Sequence, residues 1–273
     1  MSLRQVISSY KFRSEAAHVS LSLLNRVLTK SVDVMLPPLC GICDTLIEAP
    51  GLCISCFQKM RPISEPMCHI CSRPLAIILP QNICGACMIE PPPLRAIRCA
   101  YQYNDASRAL LLPFKHAGHI QNAATIAPLL RQAFSTIVTE GHIIIPIPLH
   151  WRRLLQRRYN QSAEIARRLC RPPFSKRQSA PKFVPKFAPK FAPEFLKRTT
   201  ATDMLRGKSA RQRQQELKGV FQVPKYAYPA IQNRPVMLID DVMTTGATLY
   251  EAARTLQRAG AGPIDAVCFT RVL

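Results

Sequence analysis

The sequence is poor in acidic residues and has no long apolar run. Its 273 residues include 16 Asp and Glu against 37 Lys and Arg, so the formal net charge is +21. No apolar run approaches the ~20 residues of a membrane-spanning helix, so we predict no membrane span. The first residues also lack the continuous apolar region of a secretory signal, and Val19–Val34 reads better as an amphipathic helix. We therefore expect a cytoplasmic protein.

The positive charge is concentrated in one stretch of the chain. Residues 150–218 contain 19 Lys and Arg but only 4 Asp and Glu. Such a field attracts polyanions, for example phosphorylated metabolites, pyrophosphate or nucleic acid. The same charge is also explained by a need for solubility, so charge alone does not distinguish these alternatives.

Strands and helices alternate in the C-terminal part of the chain. This alternation predicts an α/β domain with a mostly parallel sheet flanked by helices. A stiff spacer, Pro91-Pro92-Pro93, separates it from a cysteine-rich module. The expected domains are an amphipathic helix in 1–35, the cysteine module in 36–90 and the α/β domain in 94–273. The predicted strands are Ile97–Tyr103, His142–Ile147, Val236–Ile239 and Ala266–Val272. The predicted helices are Ala123–Val138, Ser162–Cys170 and Thr248–Ala259, and Asp105 is a candidate cap for an earlier helix.

A four-residue repeat interrupts this alternation. Within 172–197, the sequence Pro-Lys-Phe recurs from Pro181 to Phe191. Proline at every fourth position forbids a continuous helix, so we predict a loop or disordered insertion. Its Lys/Phe alternation suits contact with polyanions or bases, although a solvated surface insertion is the simpler interpretation.

Eight of the eleven cysteines form four Cys-x-x-Cys pairs. This spacing lets one turn direct two sulfurs at one ion, and two turns complete a closed tetrahedral site. Without a signal segment, metal ligation in a reducing compartment is favoured over disulfides. Two structural zinc ions are therefore predicted, ahead of redox dithiols or an iron–sulfur cluster, and His69 is a candidate substitute ligand. The predicted ligand sets are Cys40, Cys43, Cys53 and Cys56, and Cys68, Cys71, Cys84 and Cys87.

An acidic, hydroxyl-rich loop follows the predicted strand that ends at Ile239. Asp240 and Asp241 supply carboxylates for ribose hydroxyls or a magnesium ion. Gly246 lets the backbone approach a phosphate, and the first amides of the next helix point at the anion. The loop therefore predicts a site for a sugar and its phosphate; the alternative is a solvated turn in which a threonine caps the helix. The predicted binding residues are Asp240, Asp241, Val242, Met243, Thr244, Thr245, Gly246, Ala247 and Thr248.

Two arginines follow the strand that is bounded by prolines. Arg153 and Arg157 lie one helical turn apart and can present guanidinium groups to pyrophosphate. A basic, solvated helix face is the alternative. We interpret Lys115 as solvent-facing, and Asn160 and Gln161 as caps of the following helix.

The acidic loop resembles the signature of type I phosphoribosyltransferases. Together with the four cysteine pairs, it makes the chain similar to the ComF family, named for a bacterial DNA-uptake competence protein. The likeness runs from Leu36 to the C-terminus and implies a double zinc ribbon joined to a phosphoribosyltransferase-like domain, with Asp240 and Asp241 as catalytic residues. It includes Ile145–His150, Arg153, Arg157, Tyr159, Asn160 and Gln161, and the segment Phe114–Gly118.

The chain departs from this family pattern at a few positions. Arg158 stands where the family often has glycine. Leu205 and Glu216 stand where glutamine and asparagine are frequent, directly after the proline-rich insertion. In phosphoribosyltransferases a mobile loop often closes over the substrate. These departures therefore affect the residues from which loop closure and the acceptor would be inferred.

Two functions follow as hypotheses. The first is a protein that binds phosphoribosyl pyrophosphate with magnesium, transfers the phosphoribosyl group to an acceptor that no residue identifies, and is linked by resemblance to DNA uptake. The second is a nucleic-acid-associated competence factor without transferase activity. It would contact single-stranded DNA or DNA-uptake proteins through the cysteine module and the basic stretch.

Overall fold

A computed structural model describes residues 37–171, 189–201, 212 and 215–273. The helix predicted at Val19–Val34 and most of the proline-rich insertion lie outside the described residues. The chain divides into two compact units, the first ending at Cys53 and the second running from Ile54 to Leu273. Within the described ranges, no helix has both the length and the apolar character needed to cross a membrane.

The described part of the first unit, residues 37–53, consists of turns around a Cys-x-x-Cys pair. Cys40 forms a parallel bridge with Gly51, and Leu39 forms an antiparallel bridge with Leu46. The Cys40 amide donates to the Thr45 carbonyl at 2.8 Å. These backbone bonds replace the apolar core that so short a segment cannot build.

The second unit contains short helices and strands around one main sheet. Its helices are α1 (Ile54–Gln58), α2 (Gly85–Ile89), α3 (Asp105–His116), α4 (Asn122–Ser135), α5 (Trp151–Arg157), α6 (Gln161–Cys170), α7 (Tyr228–Ile231) and α8 (Ala247–Arg258). Its strands are β1 (Ala96–Gln102), β2 (Ile143–Pro146), β3 (Lys190–Phe191), β4 (Lys197–Arg198), β5 (Phe221–Gln222), β6 (Val236–Met243) and β7 (Ile264–Arg271).

The main sheet has five strands in the order β1-β7-β6-β2-β3, and all neighbours run parallel. This confirms the predicted α/β fold class. Ile239 of β6 lies opposite both Pro146 of β2 and Val267 of β7. Since β2 ends there, the last four residues of β6 pair with β7 alone. The sheet therefore opens beside the carboxyl end of β6, where ligands of parallel sheets bind.

Apolar layers cover both faces of this sheet. On one face, strand residues such as Ile143 and Leu238 join a core cluster that includes Leu256 of α8 and the four cysteines between Cys68 and Cys87. On the other face, α4 contacts β1 and β7, and α6 contacts β2 and β6. Strands buried on both sides are nearly continuous apolar runs, which is why their sequences were recognisable.

The helix α3 begins with a capping box. The Asn104 side chain accepts from the Ser107 amide at 3.0 Å, and the Ser107 hydroxyl accepts from the Asn104 amide at 2.9 Å. The prediction that Asp105 caps this helix is therefore wrong. Asp105 is the first helical residue, where its negative charge favours the helix dipole.

The end of the proline-rich insertion is ordered as part of the sheet. Lys190 and Phe191 form β3, which pairs with β2 at the sheet edge. Phe195, just beyond, is buried in the core cluster. The expectation of a loop or disordered insertion is therefore wrong for this part. Proline tolerates a sheet edge, and β3 is short enough to fit between two prolines.

Candidate functional site

Asp240 and Asp241 lie inside β6 and not after it. The predicted strand end at Ile239 is too early, because pairing with β7 carries β6 on to Met243. The Asp240 carboxylate accepts hydrogen bonds from the Ser162 hydroxyl at 3.0 Å and from the Asp241 amide at 2.9 Å. Strand pairing and these bonds together fix the position of the acidic pair.

Lys115, in the last turn of α3, is the cation paired with this acidic pair. Its Nζ lies 2.9 Å from Asp241 Oδ2, and the lysine side chain is 22% exposed. Our interpretation of Lys115 as solvent-facing is therefore wrong. The preceding carbonyl, that of Phe114, accepts from the Tyr159 hydroxyl and from Gln161 Nε2. The side chains of Tyr159 and Gln161 thus hold the backbone that carries Lys115.

The Asp240 carboxyl titrates in an unusual range. Burial and the neighbouring charge of Asp241 raise the pKa of Asp240 to about 7, while Lys115 and the hydrogen bond from Ser162 oppose the rise. A pKa perturbed by burial and by a like charge is typical of functional sites.

The acidic loop, Asp240–Thr248, turns sharply at Gly246. The φ angle of Gly246 is +82°, and a Cβ atom there would lie 2.6 Å from the ring of Tyr250 and 2.9 Å from the methyl group of Met243. Only glycine fits this position. Helix α8 starts at the next residue, and Gly246 has no side chain to cap its first amides. Such a helix start favours an anion.

The threonine cap considered from the sequence is weak. The Ala247 amide donates to Thr245 Oγ1 at 3.4 Å, a long distance for a cap. Thr244 is exposed. The first amides of α8 and the hydroxyl groups of Thr244 and Thr245 therefore lie near the surface of the site.

Helix α5 carries Arg153 and Arg157, which lie beside the acidic loop. Arg157 Nη1 donates to Gln161 Oε1 at 3.2 Å. Burial lowers the pKa of Arg157, while the charge of Asp241 opposes this shift. The helix ends at Arg158, whose φ of +67° is left-handed. Glycine is favoured in that conformation, which explains why the family often has glycine at this position.

The predicted capping role of Asn160 is confirmed, but that of Gln161 is wrong, because Gln161 is the first helical residue and its side chain donates to the Phe114 carbonyl. Asn160 Oδ1 accepts from the Ser162 amide at 3.0 Å and from the Ala163 amide at 3.4 Å. Its Nδ2 also donates to the Ile147 carbonyl at 2.9 Å, which fixes the end of β2 against the start of α6. This cap places Ser162 under the Asp240 carboxylate.

Arg198 is a site residue that sequence reasoning missed. It pairs with Phe221 across β4 and β5, and its guanidinium lies 5.6 Å from the Phe221 ring centre. Burial and repulsion from Arg153 lower the pKa of Arg198 to about 10, while Asp240 opposes the shift. No local pattern marks this arginine, because a two-residue strand after the insertion carries it to the site.

These groups surround one cavity of about 850 Å³. The volume falls in the range of about 300–1,000 Å³ that small-molecule sites occupy. Of the predicted loop residues, Asp241 alone is not part of the cavity wall, and it acts on the site through Lys115. The lining residues with charges or hydroxyl groups include Lys115, Arg153, Arg157, Arg198, Asp240, Thr244, Thr245 and Thr248.

The cysteines form the two predicted ligand sets. In each set the sulfur atoms lie within 4.8 Å of one another. The Cys43–Cys53 and Cys71–Cys84 sulfur distances are 3.6 Å and 3.7 Å. A tetrahedral zinc site with bonds of about 2.3 Å has edges of about 3.8 Å, so both sets fit zinc. His69 belongs to neither set. The first cysteine set is Cys40, Cys43, Cys53 and Cys56, and the second is Cys68, Cys71, Cys84 and Cys87.

The second cysteine set is part of the core of the α/β unit. All four of its residues are buried, whereas Cys43 of the first set is exposed. Ser72, beside the second set, donates to the Ile97 carbonyl at 2.8 Å and accepts from the Cys99 amide at 3.2 Å. Strand β1 is thereby hydrogen-bonded to the turn that holds this set.

The amino end of the sheet holds a buried ionic network. Asp265, at the start of β7, accepts from Arg95 Nε at 3.0 Å and lies 3.2 Å from His142 Nε2. The other ring nitrogen of His142 accepts from the Thr139 amide at 2.9 Å. Burial alone would raise the pKa of Asp265, but the bonds from His142 and Arg95 hold it below its usual value.

The fold and the cysteine sets define a class of protein, namely a zinc-ribbon protein with a parallel α/β sheet. A family profile described as "Double zinc ribbon domain" matches residues 31–100. This match confirms the double zinc ribbon and, with the sulfur geometry, the assignment of structural zinc.

Relatives with competence and DNA-utilization names match most of the chain. DNA utilization protein YhgH of Salmonella typhimurium is 28% identical over 244 residues, 87% of this chain and 98% of that protein. Competence protein F of Haemophilus influenzae is 29% identical over 226 residues, 80% of this chain and 90% of that protein. Competence protein ComFC of Bacillus subtilis is 26% identical over 216 residues, which are 77% of this chain and 79% of that protein. The chain is similar to these proteins over most of its length, which confirms the resemblance seen in its motifs.

Proposed function

We propose that the cavity binds phosphoribosyl pyrophosphate or a related ribose phosphate. The observation that carries the proposal is that the acidic loop and the cations Lys115, Arg153, Arg157 and Arg198 line one cavity. Carboxylates suit sugar hydroxyls, and cations suit phosphates. A ligand that contains both chemistries matches the whole wall.

The acidic loop would hold the ribose and its 5-phosphate. The half-buried Asp240 carboxylate accepts from a ribose hydroxyl, and the amides after Gly246 receive the phosphate. Thr244, Thr245 and Thr248 add hydroxyl donors at the rim. Asp241 contributes indirectly, because its carboxylate already binds Lys115 at 2.9 Å.

The arginines would receive the pyrophosphate. Arg153 and Arg157 of α5 and Arg198 of β4 all line the cavity. In a phosphoribosyl transfer these cations would stabilise the charge that develops on the departing pyrophosphate, while an acceptor attacks the anomeric carbon. The acceptor is the unassigned part of this reaction, and catalysis by Asp240 and Asp241 belongs to the same proposal.

Magnesium fits this site as a companion of the ligand. Apart from the two cysteine sets, the described residues contain no group of three Asp, Glu, His or Cys side chains placed to hold an ion. Magnesium commonly binds through one or two carboxylates plus the phosphates of a substrate. Asp240 is the carboxylate that faces the cavity, so magnesium would arrive with the pyrophosphate and neutralise its charge.

A thermal-shift series tests this proposal. Wild-type protein is heated with magnesium and phosphoribosyl pyrophosphate, ribose 5-phosphate or inorganic pyrophosphate. A ligand at 100 times its Kd stabilises the folded state by about 2.7 kcal/mol, so a clear rise in Tm is expected with phosphoribosyl pyrophosphate. The double variant Asp240→Asn/Asp241→Asn serves as the control. No rise in wild-type Tm at millimolar ligand would refute the proposal.

A second candidate function is contact with single-stranded nucleic acid, without transfer chemistry. Trp151, at the start of α5, is 58% exposed, and the guanidinium of Arg152 lies 5.4 Å from its ring centre. An exposed aromatic ring among arginines is typical of surfaces on which bases stack. The names of the relatives, which refer to DNA utilization and competence, favour the same partner.

The matched variants Trp151→Ala and Leu155→Ala test this candidate, since both side chains are exposed on α5. Loss of one base–aromatic stack costs about 1–3 kcal/mol, so Trp151→Ala should weaken binding of an oligothymidine by about tenfold while Leu155→Ala should not. The absence of any oligothymidine binding by wild-type protein at low salt would remove this candidate. Both proposals place the protein in the cytoplasm, with a role in DNA uptake.

A further inference from the structure

We infer that Arg271 couples the second zinc site to the acidic loop. The effect of this coupling on ligand binding rests on the proposed function. Arg271 is the last residue of β7 and only 5% exposed, opposite Met243 of β6. Its Nη1 donates to the Cys71 carbonyl at 2.6 Å and lies 3.2 Å from Met243 Sδ. One guanidinium therefore touches a turn of the second cysteine set and a residue of the acidic loop.

The charge of Arg271 requires a partner. None of the ion pairs formed by the described residues includes Arg271. Its Nε is also buried without a hydrogen-bond acceptor among the described residues. A buried, unpaired guanidinium is strongly destabilising. Four thiolates on one zinc ion carry two net negative charges, so the filled second cysteine set supplies the missing counter-charge.

A second contact path supports the same coupling. Tyr250 packs against the core cluster that contains the second cysteine set, and its ring lies against Gly246 of the acidic loop. Cys99 Sγ, on β1, lies 3.9 Å from Met243 Sδ. The buried side of the acidic loop therefore rests on groups that the second cysteine set holds in place.

The coupling makes Arg271 a positioning residue. With zinc present, the thiolate charge holds the guanidinium, which in turn holds Met243 and the end of β6. Loss of zinc from the second set leaves the guanidinium without its counter-charge, and the acidic loop loses its support. The state of the second zinc site would thus set whether the acidic loop can receive a phosphate.

The test uses the zinc-loaded full chain and three arginine variants. Arg271→Met removes the charge at similar length, Arg271→Lys keeps a cation, and Arg108→Met alters an exposed arginine on α3 as the matched control. Zinc release to a chromophoric chelator is followed in each. In a Cys43→Ser background, which removes a ligand of the first site, the remaining zinc reports on the second site.

Partners that orient metal ligands typically change metal affinity by 10–100-fold. Arg271→Met should therefore release the second zinc at least tenfold faster than wild type, Arg271→Lys should recover most of the retention, and Arg108→Met should match wild type. Hydrogen exchange of residues 242–248 should rise in Arg271→Met and in wild type stripped of the second zinc. Wild-type release in Arg271→Met, or faster release with unchanged exchange in 242–248, would overturn the inference.

These two readouts use no phosphoribosyl ligand, so the inference and the proposed function can fail separately. Phosphoribosyl pyrophosphate binding is then measured in the same proteins. Weaker binding in Arg271→Met than in Arg108→Met is expected, and equal binding would contradict the coupling. Absence of binding in wild type would refute the proposed function while the zinc and exchange results still decide the coupling.

Discussion

The two ends of the parallel sheet hold acidic residues in opposite electrostatic states. At the amino end, Asp265 is buried with Arg95 and His142 as partners, and its pKa lies below the usual value. At the carboxyl end, burial and the like charge of the neighbouring Asp241 raise the pKa of Asp240 to about 7. The residue type and the sheet are the same, although Asp265 is fully buried and Asp240 is half-buried. The difference in pKa lies in the partners.

This difference separates stability from function within one sheet. At the amino end, Arg95 and His142 bind the Asp265 carboxylate, and these contacts connect β7 to the segments before β1 and β2. The carboxyl end leaves a carboxylate near a like charge, opposite several cations, in an open cavity. A site that is incompletely satisfied in the free protein is suited to a ligand that completes it, at some loss of stability.

The largest expected effect is the loss of the amino-end network. Asp265→Ala leaves a buried histidine and an arginine without their carboxylate, and breaking a buried pair typically costs about 3–5 kcal/mol. Urea unfolding at pH 7 measures the change. Glu140→Ala, an exposed acidic residue before β2, is the control and should change stability by about 0.5 kcal/mol or less. A cost near that of the control would break the comparison.

Gly246→Ala is expected to have the next largest effect. The new Cβ meets Tyr250 and the φ of +82° strains any other residue, so we expect a loss of about 1–3 kcal/mol in the free energy of unfolding. The same change should abolish the thermal shift with phosphoribosyl pyrophosphate. Gly118→Ala is a matched control, since Gly118 has a φ of +73° but no atom within 4 Å of the added Cβ. Equal losses in both variants would show that close packing at Gly246 contributes nothing.

Asp240→Asn should stabilise the protein in a pH-dependent way. Unfolded Asp has a pKa of about 3.9, whereas folded Asp240 has a pKa of about 7, so between these values the folded state binds more protons. The contribution of Asp240 to stability therefore falls as pH rises from 4 to 7 and is lowest above 7. The variant should therefore be more stable than wild type at pH 8, and this gain should disappear at pH 4. Urea unfolding at both pH values measures this, and a loss at pH 8 would contradict the assignment.

Asp265 predicts the opposite pH trend. Its folded pKa is depressed, so its stabilising contribution is present above the unfolded pKa of about 3.9 and is lost as pH falls through the folded value. Asp265→Ala should therefore lose its penalty in acid, while Asp240→Asn loses its benefit there.

The smallest expected effect is that of Lys115→Met. The Lys115 charge lowers the pKa of Asp240, so its removal should raise that pKa. Carboxyl carbon NMR of labelled aspartate follows the titration directly. Lys218→Met, an exposed lysine, should leave the Asp240 titration unchanged. An unchanged titration in Lys115→Met would show that Asp241 screens Lys115 from Asp240.

The fold class and much of the site are predictable because their signals are local. The buried strands are short apolar runs. The spacing of each Cys-x-x-Cys pair fixes the direction of its two sulfur atoms, and the acidic loop contains all of its hydrogen-bonding groups within nine residues. The predicted domain boundaries at 35, 90 and 94 remain predictions, as do the assigned ligand-binding roles. Local signals also fixed the end of β6 too early, because pairing with β7 is not visible in the sequence of β6.

The missed residues depend on contacts between distant parts of the chain. Lys115 reaches Asp241 because Tyr159 and Gln161 hold the carbonyl before it. Arg198 enters the cavity because β4 pairs with β5. Arg271 contacts Cys71, 200 positions earlier. No local pattern encodes such contacts, so sequence reasoning finds the loop and the two arginines of α5 but not the roles of Lys115, Arg198 and Arg271.

The most direct test is calorimetric titration of phosphoribosyl pyrophosphate with magnesium into the zinc-loaded protein. We expect one site per chain in wild type, with binding lost in Asp240→Asn/Asp241→Asn and weakened at least tenfold in Arg198→Met. Arg108→Met, exposed on α3, should bind as wild type does. Absence of binding in wild type, or equal binding in wild type and the aspartate variant, would contradict the assignment of the cavity.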